Sequence, residues 1–164
     1  MSKLSHIDKK GQAAMVDISK KQASRREAIA ISRLVMAKET LKLAIAGNAP
    51  KGDIFAPARL GGIMAAKRTS ELIPLCHPIA LSHIEVEIEA EEAALTVIAR
   101  VVTNAPTGVE MEALVAASTA GLILYDMLKA IDKNMYVEQI RLLKKTGGKN
   151  GDFIASDVEQ DEIG

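Results

Sequence analysis

Ile84-Glu85-Val86-Glu87-Ile88-Glu89-Ala90-Glu91-Glu92-Ala93-Ala94-Leu95-Thr96-Val97-Ile98-Ala99-Arg100-Val101-Val102 is the stretch that decides the fold. Ile84, Val86 and Ile88 alternate with Glu85, Glu87 and Glu89, which gives a strand one dry face and one wet face. Glu91-Glu92-Ala93 turns the chain, and Leu95–Val102, rich in β-branched residues, returns as the partner strand. Downstream, Thr107 and Glu110 have capping-box spacing and predict a long apolar helix running to about Asp132. Tyr136–Leu143 reads as a last strand with broken alternation, and 146–152 as a loop. Upstream, Leu75-Cys76-His77-Pro78 is an extended turn, because the residue before a proline avoids the helical region. Asp53 is placed to cap a helix reaching about Ser70, with Pro57 near its first turn and a Gly61-Gly62 pair that implies close backbone packing. Ser24 and Glu27 predict another capping box, opening a helix that Gly47 would stop, and Ala14–Ile18 is a short strand candidate. The predicted order is strand, helices, strand, strand, helix, strand. That is the ferredoxin-like, split βαβ arrangement of an α+β protein: an antiparallel sheet with helices on one face, its other face free for assembly.

The chain has 164 residues, 48% hydrophobic and 26% charged, enough for one domain with a real core. Lysines and arginines number 21, as do aspartates and glutamates. Asp152, Asp157, Glu159, Asp161 and Glu162 crowd the C-terminus, so the body is mildly basic and suits a small anionic ligand. We expect a single domain over 1–152 and an acidic, flexible tail over 153–164. Two Phe, two Tyr and no Trp argue against stacking on single-stranded nucleic acid. One cysteine and three histidines are thin for a zinc site. The polar N-terminus and the lack of a long uncharged apolar run argue against export and membrane insertion, so a cytoplasmic location is expected.

Four places hold polar residues that packing alone explains poorly. Lys51-Gly52-Asp53 puts a cation at a helix N-terminus, where free N–H groups attract anions; a solvated loop lysine is the plainer reading. Cys76 and His77 point to opposite sides of an extended chain, so they form no nucleophile pair, and His77 and His83 lie too far apart for a shared metal. His77 is either a ligand donor or a histidine satisfied by backbone. On the long helix, Asp126 and Lys129 are three apart and can form a surface pair. Glu112 and Asp126 lie about 40° apart around that helix but about 21 Å apart along it, so one copy of the helix cannot bring both to one small substrate. Different roles, or a second subunit, would resolve that. Lys144-Lys145-Thr146-Gly147-Gly148-Lys149 could wrap phosphates, although it lacks the P-loop spacing and could equally be a flexible basic linker. Together these point to an anionic ligand held by dispersed lysines, with His77 and Asp126 available for proton transfer.

Lys51-Gly52-Asp53, Met64–Thr69, Leu72–Pro78, Thr107–Leu114, Tyr125-Asp126-Met127 with Lys129-Ala130, and Lys145–Lys149 stand in an order that closely resembles the cyclic pyranopterin monophosphate synthase family, molybdenum cofactor biosynthesis protein C. The resemblance covers nearly the whole chain. It implies a phosphorus–oxygen lyase that converts (8S)-3',8-cyclo-7,8-dihydroguanosine 5'-triphosphate into cyclic pyranopterin monophosphate and diphosphate. It also implies a ferredoxin-like fold, a homohexamer built as a trimer of dimers, and sites at the dimer interface. Carried over position by position, Leu75, Cys76, His77, Met111 and Glu112 contact substrate. Lys51, Lys67, Lys129 and Lys145 match the phosphate-binding and catalytic lysines, and Asp126 the acid/base. The expected catalytic group is thus Asp126, Lys129 and His77. No resident cofactor or metal is expected, Mg2+ travelling with the triphosphate being left open, and no nucleic-acid or membrane partner. Ala105-Pro106 depart from the Gly-Lys pair usual before the Thr107 block, which removes one cation. The alternative function is a non-catalytic nucleotide-binding or regulatory protein on the same scaffold, or a hexamer that only delivers the intermediate.

Overall fold

A computed structural model describes residues 10–149 and 151–157. The expected hairpin is present as β2 (His83–Ala90) and β3 (Ala94–Ala105), paired antiparallel with Ile84 opposite Val101 and Glu89 opposite Thr96. Glu85, Glu87 and Glu89 are exposed and Val86 is buried, as the alternation requires.

The sheet's centre departs from the sequence reading. Ser24–Val35, expected as a helix, is the strand β1, hydrogen-bonded to β3 on one side and to β4 (Tyr136–Thr146) on the other. Every residue from Ala28 to Ser32 is buried. A central strand covered on both faces needs a continuous apolar run, and such a run cannot be told from a helix by periodicity. Ser24 and Glu27 therefore form no capping box; Glu27 instead accepts from Arg25 (2.7 Å) and Arg100 (3.1 Å). Only the end of the expected helix is helical, as α1 (Lys38–Ile45). Ala14–Ile18 is no strand and crosses the surface irregularly.

The next helix is split into α2 (Phe55–Lys67) and α3 (Thr69–Leu72). Asp53 does cap it, its Oδ1 accepting from the backbone N–H groups of Phe55 (2.9 Å) and Ala56 (3.3 Å). The long helix α4 spans Glu110–Leu128, shorter at both ends than expected, and no side chain caps it. Thr107 lies outside it, and the Glu110 carboxylate is taken by Lys145.

β4 runs on to Thr146, past the expected Leu143. Its broken alternation comes from two register shifts against β1, with Gln139 at φ +53° beside one of them. A two-residue strand β5 (Phe153–Ile154) pairs with Lys145 and Lys144, so the first residues beyond the expected domain boundary join the sheet. The expected flexible tail lies, from residue 158 on, outside the described residues.

The sheet order β2-β3-β1-β4-β5, with every neighbouring pair antiparallel, is the ferredoxin-like α+β fold extended by β5. Helices α2 and α4 cover one face. Ala113, Ala116, Ala117 and Ala120 are fully buried there, and these small side chains let α4 lie close to β1 and β3. By length and hydropathy α4 would pass for a membrane span, but it is a core helix of this sheet. A smaller apolar cluster of Ile29, Ile31 and Leu143 sits on the opposite face.

Candidate active site

The expected site residues collect at the two ends of α4. At its start, the turn after α3 brings Leu75, Cys76 and His77 to Met111 and Glu112 in the first turn of α4, around a cavity of about 390 Å3. Val16, Ile18 and Lys21 of the N-terminal segment form another wall. His77 and Glu112 also line an adjoining hollow of about 260 Å3 that Lys67 borders. On the other side, Lys21, Gly108 and Glu110 are shared with a larger cavity of about 760 Å3, where Lys20, Arg26, Lys145 and Lys149 supply positive charge. The middle hollow shares lining residues with each of the other two, so the three adjoin one another along a groove at the start of α4.

Each member has a defined chemical state. Glu112 is only 5% exposed, and burial pushes its carboxyl up, with the Glu110 charge adding to that, while a hydrogen bond from its own backbone N–H pulls the other way. Burial, then the nearby Glu112 charge, also pushes the Cys76 thiol up, which keeps it protonated and unsuited to nucleophilic attack. His77 Nε2 lies 2.7 Å from the Val16 carbonyl oxygen. Since a carbonyl only accepts, Nε2 carries the proton, and Nδ1 is the nitrogen left for a ligand. Of the two readings of His77, the backbone-satisfied one describes this state. Lys145 Nζ donates to Glu110 Oε1 at 3.1 Å, between two of the hollows.

At the far end of α4, Asp126 stands between two lysines. Lys129 Nζ is 2.7 Å from its Oδ1. Lys51, from the loop between α1 and α2, donates to its Oδ2 (2.7 Å) and to its backbone carbonyl (2.9 Å). The pair expected on helical spacing is therefore a triad with a member from 75 residues away. The hydrogen bond from Lys129, followed by that from Lys51, holds the Asp126 carboxyl at about 2, and Asp126 in turn raises Lys129. The chain thus carries Lys67, Lys145 and the Cys76–His77–Glu112 group at one end of α4, and Lys51, Asp126 and Lys129 at the other.

The glycine-rich loop does less than its composition suggests. Gly147 N–H donates to Asp152 Oδ1 (3.0 Å), so the chain's own carboxylate takes a donor that a phosphate would need. Gly147 and Gly148 have φ of +83° and +96°, a backbone conformation that favours glycine, and a side chain on Gly147 would run into the Arg25 backbone carbonyl. Arg26 is a cation the sequence reading passed over, because the segment was read as helix. Its guanidinium donates to the carbonyls of Ala105 (3.3 Å) and Pro106 (3.4 Å), the two positions that depart from the family pattern. Lys20 and Lys21 were also missed; nothing in an irregular segment singles them out. Among the described residues, no cluster of three or more His, Cys, Asp or Glu could hold a metal ion.

Residues 15–148 match the model of the MoaC family. The match takes in both ends of α4 and every candidate from Lys51 to Lys145, but stops one residue short of Lys149. This chain belongs to the MoaC family, the molybdenum cofactor biosynthesis protein C family, and its role lies in the biosynthesis of that cofactor.

Proposed function

We propose that the protein is a cyclic pyranopterin monophosphate synthase, a phosphorus–oxygen lyase acting on (8S)-3',8-cyclo-7,8-dihydroguanosine 5'-triphosphate. The observation that carries this reading is the Lys51–Asp126–Lys129 triad, in a chain whose family works on this pathway. A triphosphate is a ligand able to draw two adjacent ammonium groups away from a carboxylate. In the free protein Asp126 is a poor base, being held at about 2. Once phosphate oxygens engage Lys51 and Lys129, the carboxylate loses its partners and becomes basic enough to take a proton. Substrate binding and base activation are then one event.

In the closing step a substrate hydroxyl oxygen attacks the α-phosphorus and the bond from that phosphorus to the bridging oxygen breaks. The hydroxyl proton passes to Asp126, and diphosphate leaves with its charge neutralised by the lysines. The Cys76–His77–Glu112 cavity receives the guanine-derived ring, with Leu75 and Met111 as its apolar walls. Lys67 and Lys145 border the same groove and add positive charge for the phosphates. His77 serves the ring-opening and pterin rearrangement through Nδ1.

Glu112 and Asp126 belong to opposite ends of one helix, so we place the start of α4 from one subunit against the end of α4 from another, in a trimer of dimers. Incubating the protein with the cyclic dihydroguanosine triphosphate tests the reading. Diphosphate and cyclic pyranopterin monophosphate released in equal amounts support it. Tight binding without either product overturns it in favour of a binding protein.

A further inference from the structure

Helix α1 starts after Ala37, a residue with no side-chain acceptor for the first free N–H groups of the helix. For the Ala37 N–H the acceptor comes from Asp132, 95 residues further along. Its Oδ2 accepts from the Ala37 backbone N–H (3.0 Å) and from the Thr40 hydroxyl (3.1 Å), and its Oδ1 accepts from the Asn134 N–H (3.0 Å). Asp132 itself sits in the turn that ends α4, where its N–H reaches the Leu128 carbonyl (3.3 Å). One carboxylate therefore joins the start of α1 to the end of α4. Those elements carry the triad: Lys51 on the loop that follows α1, Asp126 and Lys129 at the end of α4. Thr40, Leu41 and Ala44 pack α1 against the core, and the Asp132 bonds tie its first turn to the end of α4.

We propose that Asp132 is a positioning residue, a remote helix cap that holds the Lys51 loop in register with Asp126 and Lys129. Among the described residues, no bond joins it to any of the three. Its importance for turnover rests on the synthase reading; its effect on Lys51 does not.

The test compares acylation of individual lysines by N-hydroxysulfosuccinimidyl acetate in the full chain, read by peptide mass spectrometry at neutral pH. An ammonium bound to a carboxylate is a slow nucleophile, so Lys51 and Lys129 both start slow. In Asp132→Ala, Lys51 is expected to label several-fold faster while Lys129 keeps its rate, because Asp126 still holds it. Asp132→Asn retains a cap acceptor and is expected to stay close to the parent protein. An unchanged Lys51 rate in a folded Asp132→Ala protein, or an equal rise at both lysines, overturns the proposal. Should Asp132→Ala fail to fold, Thr40→Val removes one of the two bonds to α1 without changing shape and decides by the same readings. In the turnover assay kcat is expected to fall in Asp132→Ala and recover in Asp132→Asn. A parent protein without turnover would sink the synthase reading and leave the labelling result standing.

Discussion

Asp126 and Glu112 are both carboxylates on α4, and their surroundings push them in opposite directions. Asp126, beside two ammonium groups, stays ionised down to about pH 2. The stability its depressed value contributes is present above the ordinary carboxylate range and is lost only as pH falls through about 2. Across the working range its charge is constant. Asp126→Asn should reduce turnover by about 10²–10⁴-fold, the usual contribution of a positioned acid or base. Thermal unfolding should hardly move, since exposed ion pairs contribute little. A variant with normal turnover would remove Asp126 from the chemistry. Glu112 behaves the other way. Its buried carboxyl is raised, so the stability linked to it is full below the ordinary value of 4.5 and declines as pH rises through the higher folded value. Glu112→Gln should therefore melt at a higher temperature than the parent at pH 7, with the gain shrinking as pH falls towards 4.5. A gain that does not change with pH would mean that burial is not what shifts this group.

Adjacent glycines on α2 separate two effects that residue type alone confuses. A methyl group on Gly62 would sit 3.0 Å from the Ala116 carbonyl oxygen and 3.2 Å from Val86, both fixed parts of the core. Gly62→Ala should cost about 1–3 kcal/mol, as overpacking does. A methyl on Gly61 would meet only the far end of the Ile123 side chain, which can rotate away. Gly61→Ala should then be near neutral or stabilising, helped by up to about 1 kcal/mol of helix propensity. Urea denaturation of the two variants checks the contrast, and equal losses would mean that α2 does not rest on α4 as described. The Gly61-Gly62 pair was legible as a close-packing signal, and so was the hairpin, because Glu85, Glu87 and Glu89 mark its wet face. β1 was not legible. Ala28-Ile29-Ala30-Ile31 is buried on both faces, and no alternation survives when neither face meets water. The same misreading hid Arg26. The Asp126–Lys129 pair could be read from helical spacing, whereas Lys51 joins it only through a tertiary contact that no local pattern encodes. The glycine-rich loop showed its composition in the sequence but not that Asp152 fills it.

In the whole molecule the two groups of candidate residues are held apart by the length of α4. Residues 112 and 126 are separated by about 21 Å of helix, at 1.5 Å per residue. The groove at the start of α4 lacks the triad, and the triad lines none of the three hollows there. On the proposed reading, a second copy of the chain, placing the end of its α4 over that groove, would supply what each group lacks. Salt should act on such a site, because dispersed lysines attract a polyanion through exposed charge. Lys51→Ala and Lys145→Ala should each weaken substrate binding in isothermal titration and flatten its salt dependence. Unchanged affinity in both would sink the phosphate assignment. The shared site is tested most directly by subunit complementation. Glu112→Gln and Asp126→Asn proteins, each expected to be nearly inactive alone, are mixed under conditions that exchange subunits and assayed for diphosphate and pterin product. A hybrid dimer contains one site with both carboxylates intact, so the mixture should recover activity that neither parent has. If exchange is demonstrated and no activity returns, both carboxylates serve a site within one chain, and the two-subunit account is wrong.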